Sequence, residues 1–203
     1  MADPDDEHYF SADPSVPFRR EPLVATVWGH ELSLTSGSGV FARGRVDVGT
    51  AVLFRETSPP GSGRILDLGC GYGAIGLAVA VAAPDAVVTA VDVNERAVLL
   101  ANENAAALGL GDRYRATTPD GVPADAAYDE LWSNPPIRIG KAALHELLLT
   151  WLPRLAPEGR AVMVVGKNLG ADSLQRWLGE QGYPTVRLAS AKGFRVLESR
   201  RRV

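Results

Sequence analysis

The apolar and polar positions of the first sixty residues predict a hairpin followed by a loop and a short helix. Residues 23–35 alternate apolar and polar side chains around Gly29 and His30, which predicts two antiparallel strands that turn at this pair. Residues 36–49 are rich in glycine and predict a loop. Residues 50–57 then predict a short helix.

From Arg64 onward, short apolar runs typical of buried strands alternate with segments of helical spacing. Such alternation produces right-handed β–α–β units, so the sheet is expected to be mainly parallel. Only residues 191–193 join the last two strands, and so short a connection permits only an antiparallel pairing. The expected fold class is α/β: a Rossmann-like sheet of seven strands with helices on both faces, an antiparallel last strand and an N-terminal β-hairpin extension. The predicted strands are 64–68, 86–93, 114–118, 128–132, 160–166, 184–190 and 194–201, and the predicted helices are 74–83, 94–110, 141–155 and 171–182.

A chain of 203 residues with 46% hydrophobic and 22% charged residues has the composition of one ordinary globular domain. Residues 1–20 are rich in Asp, Pro and Ser and are expected to form a loosely ordered acidic arm. A single domain is expected over 21–203, with the hairpin and glycine-rich loop in 21–60 and the Rossmann-like core in 61–203.

Charge and cysteine content narrow the partners and the compartment. The net charge of −3 owes much to the acidic arm, so the remaining chain is nearly neutral and lacks a strong nucleic-acid signature. The sequence has no apolar run long enough for a membrane span, and its N-terminus lacks the apolar region of a signal peptide. A single cysteine, Cys70, fits a reducing compartment. We therefore expect a cytoplasmic protein without a membrane partner, with a monomer favoured.

The glycine-rich segment after the first core strand predicts a nucleoside cofactor. Residues 71–76 match G-x-G-x-x-G between a predicted strand and a predicted helix. Asp92 ends the next strand, where a carboxylate can bind both ribose hydroxyls. NAD and S-adenosylmethionine both fit this pattern. Asp67 favours the second, because a carboxylate near the glycines would repel a pyrophosphate and attract an ammonium group.

The segment SNPPI, 133–137, marks the end of the fourth core strand. Pro135 and Pro136 cannot extend a sheet ladder, and each disfavours helical backbone in the residue before it. The segment is therefore stiff and presents the Asn134 side chain and carbonyl groups at the strand end. Hydride transfer has no use for such a group, which argues against a dehydrogenase.

Taken together, these motifs resemble a known family. The segments DLGCGYGAIGLAVA, VDVNERA and SNPPI are similar to those of class I S-adenosylmethionine-dependent methyltransferases that act on planar or amide nitrogens. The wider pattern, with EHYFSADPSV, GVFARGRVDVGTAVLF, PDGVP and NPPIRIGK, resembles the methyltransferase small domain of ribosomal RNA guanine methyltransferases. Many members have an aromatic residue after NPP, where this chain has Ile137. The resemblance implies ribosomal RNA or a ribosomal subunit as the partner.

The resemblance also implies roles at the catalytic centre. The Asn134 side-chain oxygen and the Pro135 carbonyl would each accept one N–H of an exocyclic amine, which holds its lone pair toward the methyl group. Asp92 would bind the ribose hydroxyls, and Asp67 would lie near the methionine ammonium. The glycines that let the backbone approach the cofactor are Gly69, Gly71 and Gly73.

Several further residues carry an alternative beside the implied role. Asp120 would contact the adenine amino group or simply form a turn before Gly121. Thr50 would meet the methionine carboxylate or act as a helix N-cap. Phe41 would wall the adenine or the target base, with Phe194 in reserve, or belong to the core. The remaining substrate-binding candidates are Ile137, Arg138, Lys141 and Lys167, of which the charged three are expected at the cleft rim unless they are ordinary solvated charges.

Other functions remain open at this point. Release-factor methyltransferases modify a protein glutamine, and DNA adenine methyltransferases share the NPP motif, but Ile137 departs from the NPPY usual in the first and counts equally against the second. A non-catalytic nucleoside-binding or RNA-binding module would also keep this fold. The three histidines, His8, His30 and His145, lack metal-ligand spacing, so no metal is expected.

Overall fold

The computed structural model describes residues 17–201, apart from the side chain of Arg138. Most of the predicted acidic arm lies outside these residues, and Arg20 already belongs to the first strand. The helices are α1 (Val48–Glu56), α2 (Ala74–Ala82), α3 (Glu95–Ala107), α4 (Lys141–Trp151) and α5 (Ala171–Glu180). The strands are β1 (Arg20–Val27), β2 (His30–Gly37), β3 (Ser62–Leu68), β4 (Asp85–Val91), β5 (Tyr114–Thr117), β6 (Tyr128–Ser133), β7 (Leu155–Gly166), β8 (Thr185–Ala191) and β9 (Phe194–Arg200).

The main sheet has seven strands in the order β5-β4-β3-β6-β7-β9-β8, and β1 pairs with β2 in a separate hairpin. Strands β3 to β7 pair in parallel, whereas β9 is antiparallel to both β7 and β8. The expected fold class is therefore confirmed. From β3 the chain continues outward to β4 and β5 on one side, and it then returns to place β6 on the other side of β3. Ligands bind at such a reversal of strand order in open α/β sheets.

Two apolar clusters cover the two faces of the sheet. One packs α1, α2, α3 and the hairpin around buried residues such as Leu53, Leu77 and Leu100. The other packs α4 and α5 around Leu148 and Leu178. Within residues 17–201, no helix is long and apolar enough to cross a membrane.

Two boundaries in the amino-terminal segment differ from the prediction. The hairpin turns at Trp28 and Gly29, one residue before the expected pair, because Val27 pairs with His30. Both turn residues have positive φ, 49° and 84°, as tight hairpin turns that match strand twist require. Helix α1 begins at Val48 and its N-cap is Asp47, so Thr50 lies inside the first turn.

Three boundaries in the core differ by three residues or more, and the others by at most two. Helix α4 ends at Trp151 rather than 155, and a short 3₁₀ turn containing Pro153 follows it. Strand β7 begins at Leu155, five residues before the predicted start, because Leu155 pairs with Tyr128 of β6. Helix α3 ends at Ala107 rather than 110, although Asn94 caps its start as expected.

Side-chain hydrogen bonds hold the amino-terminal segment against the core. Asn94 Nδ2 donates to the Gly39 carbonyl at 2.6 Å, and the Tyr72 hydroxyl donates to the Arg45 carbonyl at 3.0 Å. Asn104 bonds both the N–H and the carbonyl of Thr35, at 2.8 and 2.9 Å. The loop between β2 and α1 is thereby held beside the ends of β3 and β4.

Candidate active site

A cleft opens at the carboxyl ends of β3, β4, β6 and β7, closed on one side by the loop between β2 and α1. Its volume is about 250 Å³. Seven of the fourteen predicted site residues line it, namely Asn134, Pro135, Gly69, Gly71, Asp92, Phe41 and Ile137. The lining residues include Val40, Phe41, Asp47, Gly69, Gly71, Asp92, Val93, Pro119, Asn134, Pro135, Pro136, Ile137, Leu147, Trp151, Leu169 and Phe194.

The three predicted glycines form the turn between β3 and α2. Gly69, Gly71 and Gly73 have φ values of 73°, 54° and 94°, in the left-handed region that glycine adopts without strain. Gly69 and Gly71 line the cleft. A Cβ on Gly73 would lie 2.7 Å from the Tyr114 hydroxyl, so this glycine serves the packing of the loop onto the sheet.

Asp67 lies beneath this loop with its side chain fully buried. The Gly76 N–H donates to its Oδ2 at 2.8 Å, whereas its Oδ1 has no hydrogen-bond partner among residues 17–201. Burial raises the pKa of Asp67 from 3.8 to about 7, with the Gly76 bond lowering it and the Asp92 charge raising it further. Asp67 does not itself line the cleft, so its contact with an ammonium group stays a prediction, which the partnerless oxygen supports.

Asp92 follows β4 and stabilises the glycine turn. Its Oδ2 accepts the Gly71 N–H at 2.8 Å and its Oδ1 accepts the Asn94 N–H at 3.0 Å. Burial nevertheless raises its pKa above 3.8. Each carboxylate oxygen retains a lone pair for a further donor. Val93 beside it is 48% exposed and offers an apolar surface to the same cleft.

Asn134 follows β6, and the nitrogen of its side-chain amide makes two hydrogen bonds. Its Nδ2 donates to Asp47 Oδ2 at 2.8 Å and to Thr50 Oγ1 at 3.1 Å. The Pro135 carbonyl accepts the Ile137 N–H at 2.8 Å, which closes a tight turn around Pro136. The Asn134 oxygen and the second lone pair of the Pro135 carbonyl remain as acceptors for a ligand.

The apolar candidates for substrate contact also reach the cleft. Phe41 lines it and is 42% exposed, while Phe194 and Ile137 line it from partly buried positions. Which of them contacts a base stays a prediction.

The polar candidates are distributed differently. Asp120 is exposed and accepts the Thr118 hydroxyl, and its neighbour Pro119 lines the cleft, so the adenine contact stays a prediction. Lys141 begins α4 and Lys167 follows β7, both exposed and both at the carboxyl end of the sheet. The prediction for the Arg138 side chain lies outside the described part of the chain.

Asp47 is the functional candidate that the sequence reasoning missed. The sequence offered one local signal for it: Asp47 precedes the predicted helix by three residues, and aspartate is a favoured N-cap residue. Its second contact, with Asn134, joins residues 87 positions apart and has no local signature. The apolar walls from Leu147 and Trp151 were missed because helical spacing alone assigns such residues to the core, and Leu169 lies in the turn between β7 and α5, where no pattern marks it.

The Cys70 thiol is not activated as a nucleophile in this structure. Cys70 is buried, and burial together with the charges of Asp92 and Asp67 raises the pKa of its thiol well above its ordinary value. Residues 17–201 contain no cluster of three or more His, Cys, Asp or Glu side chains placed to hold a metal ion.

Comparison with known proteins finds relatives that are similar in sequence and in fold. The family model described as methyltransferase small domain matches residues 31–198. The protein YbxB of Bacillus subtilis, itself uncharacterized, is 33% identical over 198 residues, which is 96% of this chain and 98% of that protein. Ribosomal RNA small subunit methyltransferase C of Pseudomonas aeruginosa is 36% identical over 177 residues, covering 84% of this chain and 52% of that protein.

A solved structure extends the comparison. The T. thermophilus 16S rRNA N2 G1207 methyltransferase (RsmC), in complex with AdoMet and guanosine, superposes with a TM-score of 0.75 at 25% identity. The match covers 93% of this chain and 52% of that chain. The chain therefore spans about half the length of the ribosomal RNA methyltransferases that it matches.

Proposed function

This chain belongs to the methyltransferase small domain family, and on that premise we propose that it methylates the exocyclic amino group of a guanine in ribosomal RNA. By family and fold it is a class I methyltransferase, and the cofactor is S-adenosylmethionine. The target nucleobase and its RNA are the proposal. They are supported by the names of the relatives and by the chemistry of the cleft.

One observation carries the proposal: the segment at Asn134 and Pro135 and the glycine turn after β3 line the same cleft. Asn134 and Pro135 stand at the end of β6, and Gly69, Gly71 and Asp92 stand at the ends of β3 and β4 beside it. An amine held by the first group would therefore lie next to a cofactor held by the second.

The residues of the chain fit the cofactor at two points. The buried Asp67 oxygen without a partner can interact with the methionine ammonium, directly or through water. Asp92 can accept from the ribose hydroxyls with the lone pairs that the Gly71 and Asn94 bonds leave. When bound, the cofactor supplies an electrophilic methyl group on a positively charged sulfur.

Asn134 and Pro135 orient the amine for this transfer. An exocyclic aromatic amine is a poor nucleophile because its lone pair is delocalised into the ring. With one N–H bonded to the Asn134 oxygen and the other to the Pro135 carbonyl, the lone pair would face the cofactor's methyl group. As the new nitrogen–methyl bond forms, the sulfur–methyl bond would break to leave a neutral thioether, and the methylated nitrogen would then release its extra proton to solvent. The same two oxygens stabilise the positive charge that develops on nitrogen. Because Pro135 and Pro136 stiffen the segment, the acceptors keep their positions during the reaction.

Nucleoside mass spectrometry of ribosomal RNA from cells with and without the gene tests this function. We expect one methylguanosine to disappear in the deletion and to return with the wild-type gene but not with Asn134→Ala. An unchanged RNA profile together with a lost methyl group on a protein glutamine would instead support the release-factor type of reaction. An unchanged RNA and protein profile would support a non-catalytic module.

Purified protein separates binding from chemistry. Asn134→Ala should keep its affinity for S-adenosylmethionine within about threefold and lose about a hundredfold or more in methyl transfer to ribosomal subunits, as expected for one preorganised polar group. Near-normal transfer by this variant would refute the role of Asn134.

A further inference from the structure

We propose that Asp47 is a positioning residue, which together with Thr50 fixes the Asn134 amide with its oxygen facing the substrate amine. The inference rests on the proposed function, since it concerns the same nitrogen acceptor. It adds a residue from the amino-terminal segment to the machinery of the cleft.

The contacts around the amide decide its orientation. An asparagine amide has nearly the same shape after a flip of 180°, so packing alone does not distinguish oxygen from nitrogen. An ionised carboxylate has acceptors only, so Asp47 pairs with Nδ2 and would repel Oδ1 in its place. Thr50 can donate or accept and therefore tolerates either orientation. The selection comes from Asp47.

Asp47 is itself held rigidly. Its Oδ2 accepts the N–H groups of Gly49 and Thr50 at 2.7 and 3.3 Å as the N-cap of α1. A Cβ on Gly49 would lie 2.9 Å from this oxygen and 2.9 Å from the Phe194 ring, so glycine allows the close approach. The carboxylate thus has one position, set by the backbone of α1, from which to hold Asn134.

The chain of hydrogen bonds also affects the strength of the acceptor. The backbone N–H groups and Asn134 Nδ2 all donate to Asp47 Oδ2, so the backbone bonds fix the position of this oxygen and do not strengthen its bond to the amide. The amide itself donates through Nδ2 and can accept through its oxygen, and hydrogen bonds on the two sides of such a group polarise one another. Donation from Nδ2 to a carboxylate draws electron density toward the amide oxygen and makes it a better acceptor for the amine and its developing charge.

A simple N-cap would not need these features. Serine and asparagine cap helices about as well as aspartate. Only a side chain of aspartate length, with an acceptor at this point, both caps α1 and reaches Asn134. Variants at position 47 can therefore separate the capping role from the positioning role.

Steady-state kinetics provide the first test. Asp47→Ser keeps a cap but is too short to reach the amide, and we expect kcat to fall about thirtyfold or more while KM for S-adenosylmethionine changes less than threefold. Asp47→Asn keeps an acceptor of the right length, so its kcat should be higher than that of Asp47→Ser. We expect it to recover at least a third of the loss in log kcat. Thr50→Val removes the hydroxyl that accepts from Nδ2 and should lower kcat several-fold. Asp129→Ser is the matched control, because Asp129 accepts the Arg64 N–H at the opposite end of the sheet.

A double-mutant cycle distinguishes positioning from a general structural effect. In an Asn134→Ala background, Asp47→Ser should lower the remaining rate less than twofold, since there is no amide left to hold. Full multiplication of the two losses would overturn the proposal and leave Asp47 as a helix cap.

A substrate-independent readout keeps the inference separate from the proposed function. In the ligand-free protein, the side-chain amide protons of Asn134, assigned by their absence in Asn134→Ala, should exchange slowly and shift downfield beside the carboxylate. Asp47→Ser should speed their exchange about tenfold or more, and Asp129→Ser should not. Unchanged exchange in Asp47→Ser overturns the positioning role even if RNA methylation is found. Changed exchange supports it even if the methyl acceptor is a protein glutamine.

Discussion

Replacing Asp67 with asparagine should raise the stability of the ligand-free protein relative to wild type progressively as the pH rises from 5 to 8. The carboxyl group is fully buried, one of its oxygens has no partner within residues 17–201, and its pKa is raised to about 7. Between about pH 4 and 7 the folded state keeps the proton while the unfolded chain releases it. Raising the pH through this window therefore favours unfolding, and the effect is complete above pH 7.

The size of the effect follows from the same pKa. A rise from 3.8 to about 7 corresponds to about 4 kcal/mol of lost unfolding free energy once the group is ionised in both states. Between pH 5 and 8 the wild type should lose about 2–3 kcal/mol from this group. An asparagine keeps the oxygen that accepts the Gly76 N–H and does not ionise. Burying the NH₂ group of the asparagine costs unfolding free energy, but this cost is the same at pH 5 and at pH 8. It therefore cancels when the change between these two pH values is compared with that of the wild type.

Thermal or denaturant unfolding at pH 5, 6, 7 and 8 measures this difference. The gap between Asp67→Asn and wild type should widen with pH, by about 5–10 °C in melting temperature over the range for a chain of this size. Asp129→Asn, at an exposed position, should follow the wild-type curve. Parallel curves for Asp67→Asn and wild type would show that the buried carboxylate does not carry the stated energy.

Other expectations concern ligands. S-adenosylmethionine binding by the wild type should strengthen as pH rises to about 7, by up to tenfold per unit, because a cationic ligand favours the ionised Asp67; calorimetry of Asp67→Asn should lack this dependence. Asp92→Ala should weaken cofactor binding by about 1–3 kcal/mol, and neither protein should bind NAD; detectable NAD binding by calorimetry would contradict the assignment. Loss of a stacking face in Phe41→Ala should weaken RNA binding by about 1–3 kcal/mol in a filter assay; a silent Phe41→Ala with an impaired Phe194→Ala would transfer the role to Phe194. Lys141→Glu should reduce the slope of log affinity against log salt by about 0.7 and leave cofactor binding unchanged; an unaltered slope would remove Lys141 from the phosphate contacts.

The fold was predictable because its signals are local. Alternating strand and helix patterns imply a parallel sheet with few possible connections, and the three-residue link 191–193 requires the antiparallel last pair. Element ends were less accurate. Trp28 occupies a positive-φ turn position that sequence statistics assign to glycine or asparagine, and the start of β7 at Leu155 depends on its partner Tyr128 in β6.

The cleft residues at the ends of strands could be predicted from the sequence. Contacts between segments that are distant in the sequence could not. The ends of adjacent parallel strands lie at one edge of a sheet, so Gly71, Asp92 and Asn134 were expected near one another and do line one cleft. The approach of Asp47 to Asn134 depends on how the amino-terminal segment packs over that edge. Neither helix propensity nor spacing contains this information, and the contact became visible only in three dimensions.

The docking of the amino-terminal segment has a consequence for synthesis of the chain. The register of the hairpin is local, so the hairpin can form as soon as residue 37 has left the ribosome. Its anchor Asn104 lies 69 positions after Thr35, and Asn94, which holds the following loop, lies 55 positions after Gly39. Asn134 is synthesised 87 residues after Asp47, which takes roughly 4–17 s at ordinary elongation rates. We expect the hairpin to remain undocked and only marginally stable for that time, and the contact between Asp47 and Asn134 to form only after residue 134 has emerged. Slowing elongation between residues 60 and 130 would lengthen the period in which the apolar underside of the hairpin is open to chaperones.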